Sequence, residues 1–237
     1  IELSGNQYYP PIEHQIHTTS YTGNPFDIIA EVTFLHKSSN REIESDLFFA
    51  GENTWTLRFS GILPGLWEFS TKSIVKQLNG ITGTIYVRPD DNALGFISSN
   101  GNRWIRTGNN QAFCPQMVMY GSPLYIAENK DQIDRDIDVF LNVHGFTGFH
   151  IIVGCRWFNI NSSSCERSFI ENFFRKDSNP DLRTFEALEY FIKRVYEASG
   201  HVHLWVWGDE QRKQTPISYG GLNSSVDKRL QRYMTAR

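Results

Sequence analysis

A chain of 237 residues, 40% hydrophobic and 21% charged, has ordinary globular composition and is long enough for one large domain or two average ones. Its net charge of −3 argues against nucleic acid as the main partner, because phosphate binding needs clustered Lys and Arg. No run of 18 apolar residues predicts a membrane-spanning helix.

Residues 1–89 read as all-β. Ile28, Ala30, Val32 and Phe34 alternate with Ile29, Glu31, Thr33 and Leu35; Trp55, Leu57 and Phe59 alternate with Thr54, Thr56 and Arg58; Trp67, Phe69 and Thr71 alternate with Glu68 and Ser70; Thr82–Val87 is a further strand. Turn-forming Gly23-Asn-Pro25, Gly51-Glu-Asn53, Pro64-Gly65 and Asn79-Gly80 separate them. Short strands at this spacing predict an immunoglobulin-like β-sandwich, with Trp55 and Trp67 in its core. Pro89-Asp-Asp-Asn92 is a candidate linker.

From about Leu94 the pattern changes. Arg103–Thr107 is a short strand candidate, followed by Gly108-Asn-Asn110. Ile133, Ile137, Phe140 and Leu141 recur at helical spacing, and Gly145 stops that helix. Phe149–Val153 is a strand that ends at Gly154-Cys-Arg-Trp157. A helix near Asp181 carries Leu182, Phe185, Leu188, Phe191, Ile192 and Val195, and Gly200 closes it. The run from His201 to Trp207 then alternates strictly, with Val202, Leu204 and Val206 on one face and His203, Trp205 and Trp207 on the other. Ser224 and Asp227 form a capping-box pattern ahead of Val226, Leu230 and Tyr233. Strand then helix, three times over, predicts a parallel α/β architecture for residues 90–237.

At the C-terminal ends of such strands, where α/β proteins place their chemistry, stand Arg156, Trp157, Trp207, Asp209 and Glu210; Asn109 follows the first strand candidate. Asp209 and Glu210 either line a pocket or cap a turn. Arg156 either hydrogen-bonds a ligand or makes a structural ion pair, Trp157 is either a rim platform or loop packing, and Asn109 either donates to a ligand or forms its turn. His150 and His203 are expected as hydrogen-bonded core histidines, and no third ligand supports a metal site. Cys114, Cys155 and Cys165 fit no metal spacing; a Cys155–Cys165 bridge would clip the loop after a strand, which the sequence leaves open. The 17 Phe, 10 Tyr and 6 Trp serve either β-rich packing or stacking on sugar rings.

Phe49-Ala-Gly-Glu-Asn-Thr-Trp-Thr-Leu-Arg-Phe59 and Leu63-Pro-Gly-Leu-Trp-Glu-Phe-Ser-Thr-Lys-Ser73, with Asn24-Pro-Phe26 ahead of a strand, resemble a β-sandwich found ahead of bacterial glycoside hydrolase barrels. The region from Gly95 resembles the start of the apiosidase-like (β/α)8 barrel that usually follows. Thr107-Gly108-Asn109 is similar to the Gly-Asp-Thr turn of that family, with Asn in place of Asp, and Gly145-Phe-Thr-Gly-Phe149 to its Gly-Phe-Asn segment. The resemblance implies an exported glycosidase, extracellular or periplasmic, that acts on plant or algal carbohydrate by carboxylate acid–base catalysis with no cofactor. Residues 1–89 would be its sandwich and residues 90–237 the first three βα units of its TIM barrel. The missing initiator Met and the abrupt end at Arg237 lead to the expectation of a fragment. The catalytic carboxylates would then lie beyond Arg237, leaving substrate-binding roles to the residues named above. The alternative is a non-catalytic carbohydrate-binding protein with a degenerate barrel.

Overall fold

The computed structural model describes residues 1–19, 21–162, 178–206 and 223–237. The chain divides into two compact units, Ile1–Phe113 with Gln231–Arg237, and Cys114–Leu230.

The first unit is built on eight strands: β1 (Glu2–Asn6), β2 (Ile12–His17), β3 (Ala30–His36), β4 (Glu42–Asp46), β5 (Phe48–Gly51), β6 (Thr54–Phe59), β7 (Gly65–Ser73) and β8 (Thr82–Arg88). They form a five-stranded sheet in the order β1-β8-β7-β3-β4 and a three-stranded sheet in the order β2-β6-β5. The period-2 pattern sorts the side chains: Ala30, Val32, Phe34, Trp67, Phe69, Ile85 and Val87 of the larger sheet are buried in one cluster with Ile12, Trp55, Leu57 and Phe59 of the smaller. Phe34 stacks on Phe59 across the two sheets with ring centroids 4.3 Å apart, and Phe59 meets Trp67 edge-on at 5.0 Å. The buried Trp67 indole donates from Nε1 to the Leu63 carbonyl at 3.0 Å, so the largest side chain of this core leaves no polar atom unpaired.

Arg103–Thr107, expected as the first strand of the α/β series, does something else. Residues Arg103–Arg106 form β10, which pairs antiparallel with β9 (Ile97–Asn100) in a two-stranded hairpin of the first unit. The pair Asn100↔Arg103 closes a two-residue loop, Gly101-Asn102, with Gly101 at φ +60°, and Gly-Asn between two short runs is a hairpin signal.

Among the described residues the second unit holds three parallel strands in consecutive order, β11 (Met117–Tyr120), β12 (Gly148–Ile152) and β13 (His201–Trp205). The sheet is open, and the described residues close no barrel. After β11 come α1 (Pro123–Glu128) and α2 (Lys130–Ile137), which runs on into a wider turn over Asp138–Val143; α3 (Leu182–Glu197) lies between β12 and β13, and α4 (Ser225–Ala236) follows β13. Phe149, Ile151 and Val153 are buried on the face that meets α3, where Phe191 lies 5.2 Å from Phe149 and stacks on Tyr120 at 5.4 Å.

The helix ends follow local chemistry. Asp181 caps α3 by accepting from the Arg183 N–H at 3.0 Å. Ser224 Oγ accepts from the Asp227 N–H at 3.2 Å, while the Asp227 carboxylate accepts from the Asn223 N–H at 2.9 Å, so the capping-box residues engage as their spacing suggests. The end of α3 differs from expectation. The left-handed residue is Ser199 at φ +63°, not Gly200. Gly200 is small for another reason: a Cβ there would lie 2.6 Å from Leu141 Cδ1 and 2.8 Å from Val195 Cγ1. The last part of α4 belongs to the first unit, where the Tyr233 hydroxyl donates to the Phe49 carbonyl at 2.8 Å.

Candidate functional site

The two faces of the parallel sheet differ in chemistry. Register pairs Phe149 with Val202 and Ile151 with Leu204, which puts these four on the helix-covered face. On the other face the row Met119↔His150↔His203 crosses all three strands, with Ile152↔Trp205 one step nearer the C-terminal end. His203 is exposed, and Met119 is 58% exposed. Strand alternation dictates this division, because successive Cβ atoms point to opposite faces.

Three rings on that face touch. His150 Nδ1 and His203 Nδ1 are 2.9 Å apart, with ring centroids at 4.5 Å. Trp205 stands edge-on to His150 at 4.8 Å. The Nε2 of His150 is buried and meets no hydrogen-bonding group. Burial, and secondarily the prospective charge of His203, hold the His150 imidazole below the usual histidine range. The two histidines expected as hydrogen-bonded core side chains are bonded to each other, but His203 is exposed and not core.

Of the residues singled out from the sequence, Asn109, Arg156 and Trp157 are among those described. Arg156 lies in a 3-10 turn, Gly154–Trp157, that begins two residues after β12 ends, so strand alternation does not extend to it. It is half-buried, its Nε is buried with no hydrogen-bonding partner, and burial lowers its pKa. A guanidinium with a buried, unengaged N–H is open to an acceptor. Trp157, one residue on, is fully buried; its indole donates to the Val206 carbonyl at 2.7 Å and its ring packs on Phe185 at 5.1 Å. Of its two readings, loop packing describes this placement, because no face of the ring reaches solvent.

Asn109 sits in the first unit, in the exposed turn after β10, where its Oδ1 accepts from the Gln111 N–H at 3.0 Å. This corrects its expected place at the end of the first parallel strand. That strand is β11, and it ends at Tyr120. Trp207, Asp209 and Glu210 lie outside the described residues. Among the described residues no group of three His, Cys, Asp or Glu side chains is arranged to hold a metal ion. Cys114 is a free thiol and Cys155 is disulfide-bonded, while Cys165 lies outside the described residues.

Sequence reasoning missed β11, and with it Met119 and Tyr120. The Tyr120 hydroxyl donates to Asp136 Oδ2 at 2.5 Å; burial, then that hydrogen bond and the negative charge, raise its pKa. Four residues are too few to display a period, so only the pairing with β12 reveals the strand.

Residues 6–74 match a domain of unknown function, DUF5060, and no curated protein sequence matches the chain. A candidate glycoside hydrolase from Bacteroides vulgatus superposes with a TM-score of 0.66 at 20% identity, covering 86% of this chain. A Paenibacillus cycloisomaltooligosaccharide glucanotransferase covers 85% of this chain and 26% of its own at 12% identity and a TM-score of 0.23. An Anoxybacillus pullulanase covers 84% and 33% at 10% identity and a TM-score of 0.21. The last two scores are too low to bear on the fold. The chain spans 40% of the length of the Bacteroides structure, and over that part it shares its fold.

Proposed function

We propose that the chain is part of a carbohydrate-active enzyme, a glycoside hydrolase of the apiosidase-like kind, in which a β-sandwich precedes the opening βα units of a (β/α)8 barrel. The observation that carries this reading is the consecutive parallel order β11-β12-β13, with helices following each strand and a face of rings and a thioether opposite those helices. The likeness to the Bacteroides candidate hydrolase supports it. In a (β/α)8 barrel the face away from the helices is the interior, and the strands' C-terminal ends bear the site.

The reaction class is general acid–base hydrolysis of a glycosidic bond. A carboxylic acid protonates the leaving oxygen while a second carboxylate attacks the sugar or activates water. Within this chain the assigned work is binding. Arg156, with its buried free N–H, is a donor for a sugar hydroxyl or a uronate carboxylate. Trp207 is assigned stacking on a sugar ring and Asp209 or Glu210 acceptance of a hydroxyl proton. Asn109 and Trp157 take no part in this proposal, since one forms the exposed turn after β10 and the other is core. Cys155 is disulfide-bonded, which suits an oxidising compartment, so we place the protein outside the cytoplasm.

The test is reducing-end release from a panel of plant and algal polysaccharides, using the protein expressed from the whole reading frame that encodes this chain. Release that Arg156→Ala slows at low substrate concentration supports the reading. Saturable sugar binding without turnover replaces it with a non-catalytic carbohydrate-binding protein, and neither binding nor turnover removes both.

A further inference from the structure

The contact between His150 and His203 constrains where their protons sit. Two Nδ1 atoms 2.9 Å apart are bonded only if one carries a hydrogen and the other presents a lone pair. There are two ways to arrange this. If His203 donates, His150 accepts at Nδ1 and must carry its own hydrogen on Nε2. That atom is buried with no acceptor, and an orphaned N–H is the rarest kind of unsatisfied buried group. If His150 donates, its Nε2 is a bare lone pair, the milder of the two defects, and the hydrogen of His203 moves to Nε2. Among the described residues nothing covers His203, the exposed member, so this N–H has access to an acceptor.

A second proton finds no good place. The vacant sites are the buried Nε2 of His150 and the occupied contact itself. Among the described residues, those sharing this face with the pair are Met117, Met119, Ile152, His201 and Trp205, none of them a carboxylate. The geometry therefore accommodates one hydrogen on each ring.

We propose that His150 and His203 are a tautomer-locked neutral pair, in which His150 is a positioning residue and His203 presents a fixed Nε2–H donor to a hydroxyl oxygen of bound carbohydrate. The lock stands on the geometry alone; the identity of the acceptor rests on the carbohydrate reading above. A neutral donor suits a neutral hydroxyl, and Trp205, perpendicular to the His150 ring at 4.8 Å, supplies apolar surface for the sugar's C–H groups.

The experiment is a long-range ¹H–¹⁵N spectrum of the histidine-labelled chain at pH 7, with His150→Leu, His150→Asn and His203→Gln used for assignment and as variants. The expected result is a protonated Nδ1 and bare Nε2 on His150, and the reverse on His203. In His150→Leu the His203 nitrogens should move toward the averaged shifts of a free imidazole, and in His150→Asn, whose amide can still donate, they should return. The reverse tautomers, a charged ring at pH 7, or His203 shifts indifferent to both substitutions would overturn the lock. The acceptor is tested with xylotriose, laminaritriose and galactobiose. For one that binds, the His203 Nε2 shift should move and His203→Ala should weaken binding about 2- to 13-fold, the worth of one hydrogen bond. Binding with no change at His203 overturns its role as donor, and no binding by any of the three overturns the assigned acceptor while the tautomer result stands separately.

Discussion

The five-stranded sheet of the first unit and the three-stranded sheet of the second use their aromatic and polar residues in opposite ways. In the first unit Trp55, Trp67, Phe34, Phe59 and Phe69 are all turned inward against a second sheet, and the outward alternates are mostly polar. In the second, Phe149, Ile151 and Val153 meet helices, while the other face carries Met119, His150, His203 and Trp205. A parallel sheet ordinarily has both faces covered and reads apolar on both. Imidazoles on one face depart from that rule, and such departures mark where to look for function. Two tryptophans in alternating strands can thus mean opposite things: Trp67 is structure, and Trp205 borders the candidate site.

The comparison can be broken most directly at Trp67. With its ring fully buried and its N–H paired, Trp67→Ala should destabilise the first unit by about 3–5 kcal/mol. A denaturation midpoint close to that of the wild type would mean that the sandwich core is not built as described.

Gly148→Ala probes the contact between β12 and β13. An added Cβ would lie 2.1 Å from the His201 carbonyl oxygen, a backbone atom that moves only if the strands part. The expected cost is about 1–3 kcal/mol, seen as faster amide exchange along Gly148–Ile152 and His201–Trp205.

Asp181 sharpens the picture of α3. Removing this cap should cost about 1 kcal/mol. Burial works to raise the Asp181 pKa, but the Arg183 side chain and the N–H groups of Ile160 and Arg183 outweigh it and hold the carboxyl below its usual value. A depressed pKa in the folded state means the carboxylate's contribution is full above the ordinary carboxylate value, about pH 4, and is lost as pH falls through the lower folded value. The gap between wild type and Asp181→Ala should therefore narrow only below about pH 4. A gap already closing at pH 6 would contradict the cap.

The smallest effects are expected at the exposed positions. Lys37–Glu68 is a 2.8 Å ion pair between two side chains about half exposed, so Lys37→Met should change stability by no more than about 0.5–1 kcal/mol. His203→Ala removes the partner of the His150 Nδ1–H but little packing, so it should cost no more than about 1 kcal/mol. A large loss of stability on removing His203 would return it to the core and end the contrast between the two sheets.

Local pattern was sufficient wherever one face of an element is buried. The sandwich strands, the inward place of Trp55 and Trp67, the capping pair Ser224 and Asp227 and the two faces of β13 could all be read from period and capping chemistry, because burial of one face and the unpaired N–H groups of a helix start force those regularities on the residues. The sequence also held enough to pair a β-rich first part with a strand–helix second part. Only tertiary structure decided which strand partners which. Arg103–Arg106 turned to Ile97–Asn100 instead of joining the parallel series, which begins at a four-residue strand too short to show any period. The 3-10 turn at Gly154–Trp157 separated Arg156 from Trp157, leaving one with an unengaged N–H and burying the other. The 2.9 Å approach of His150 to His203 follows from inter-strand register, which links residues more than fifty positions apart. Pairing and register are set by the packing of whole elements on one another, and no local signal in the chain encodes them.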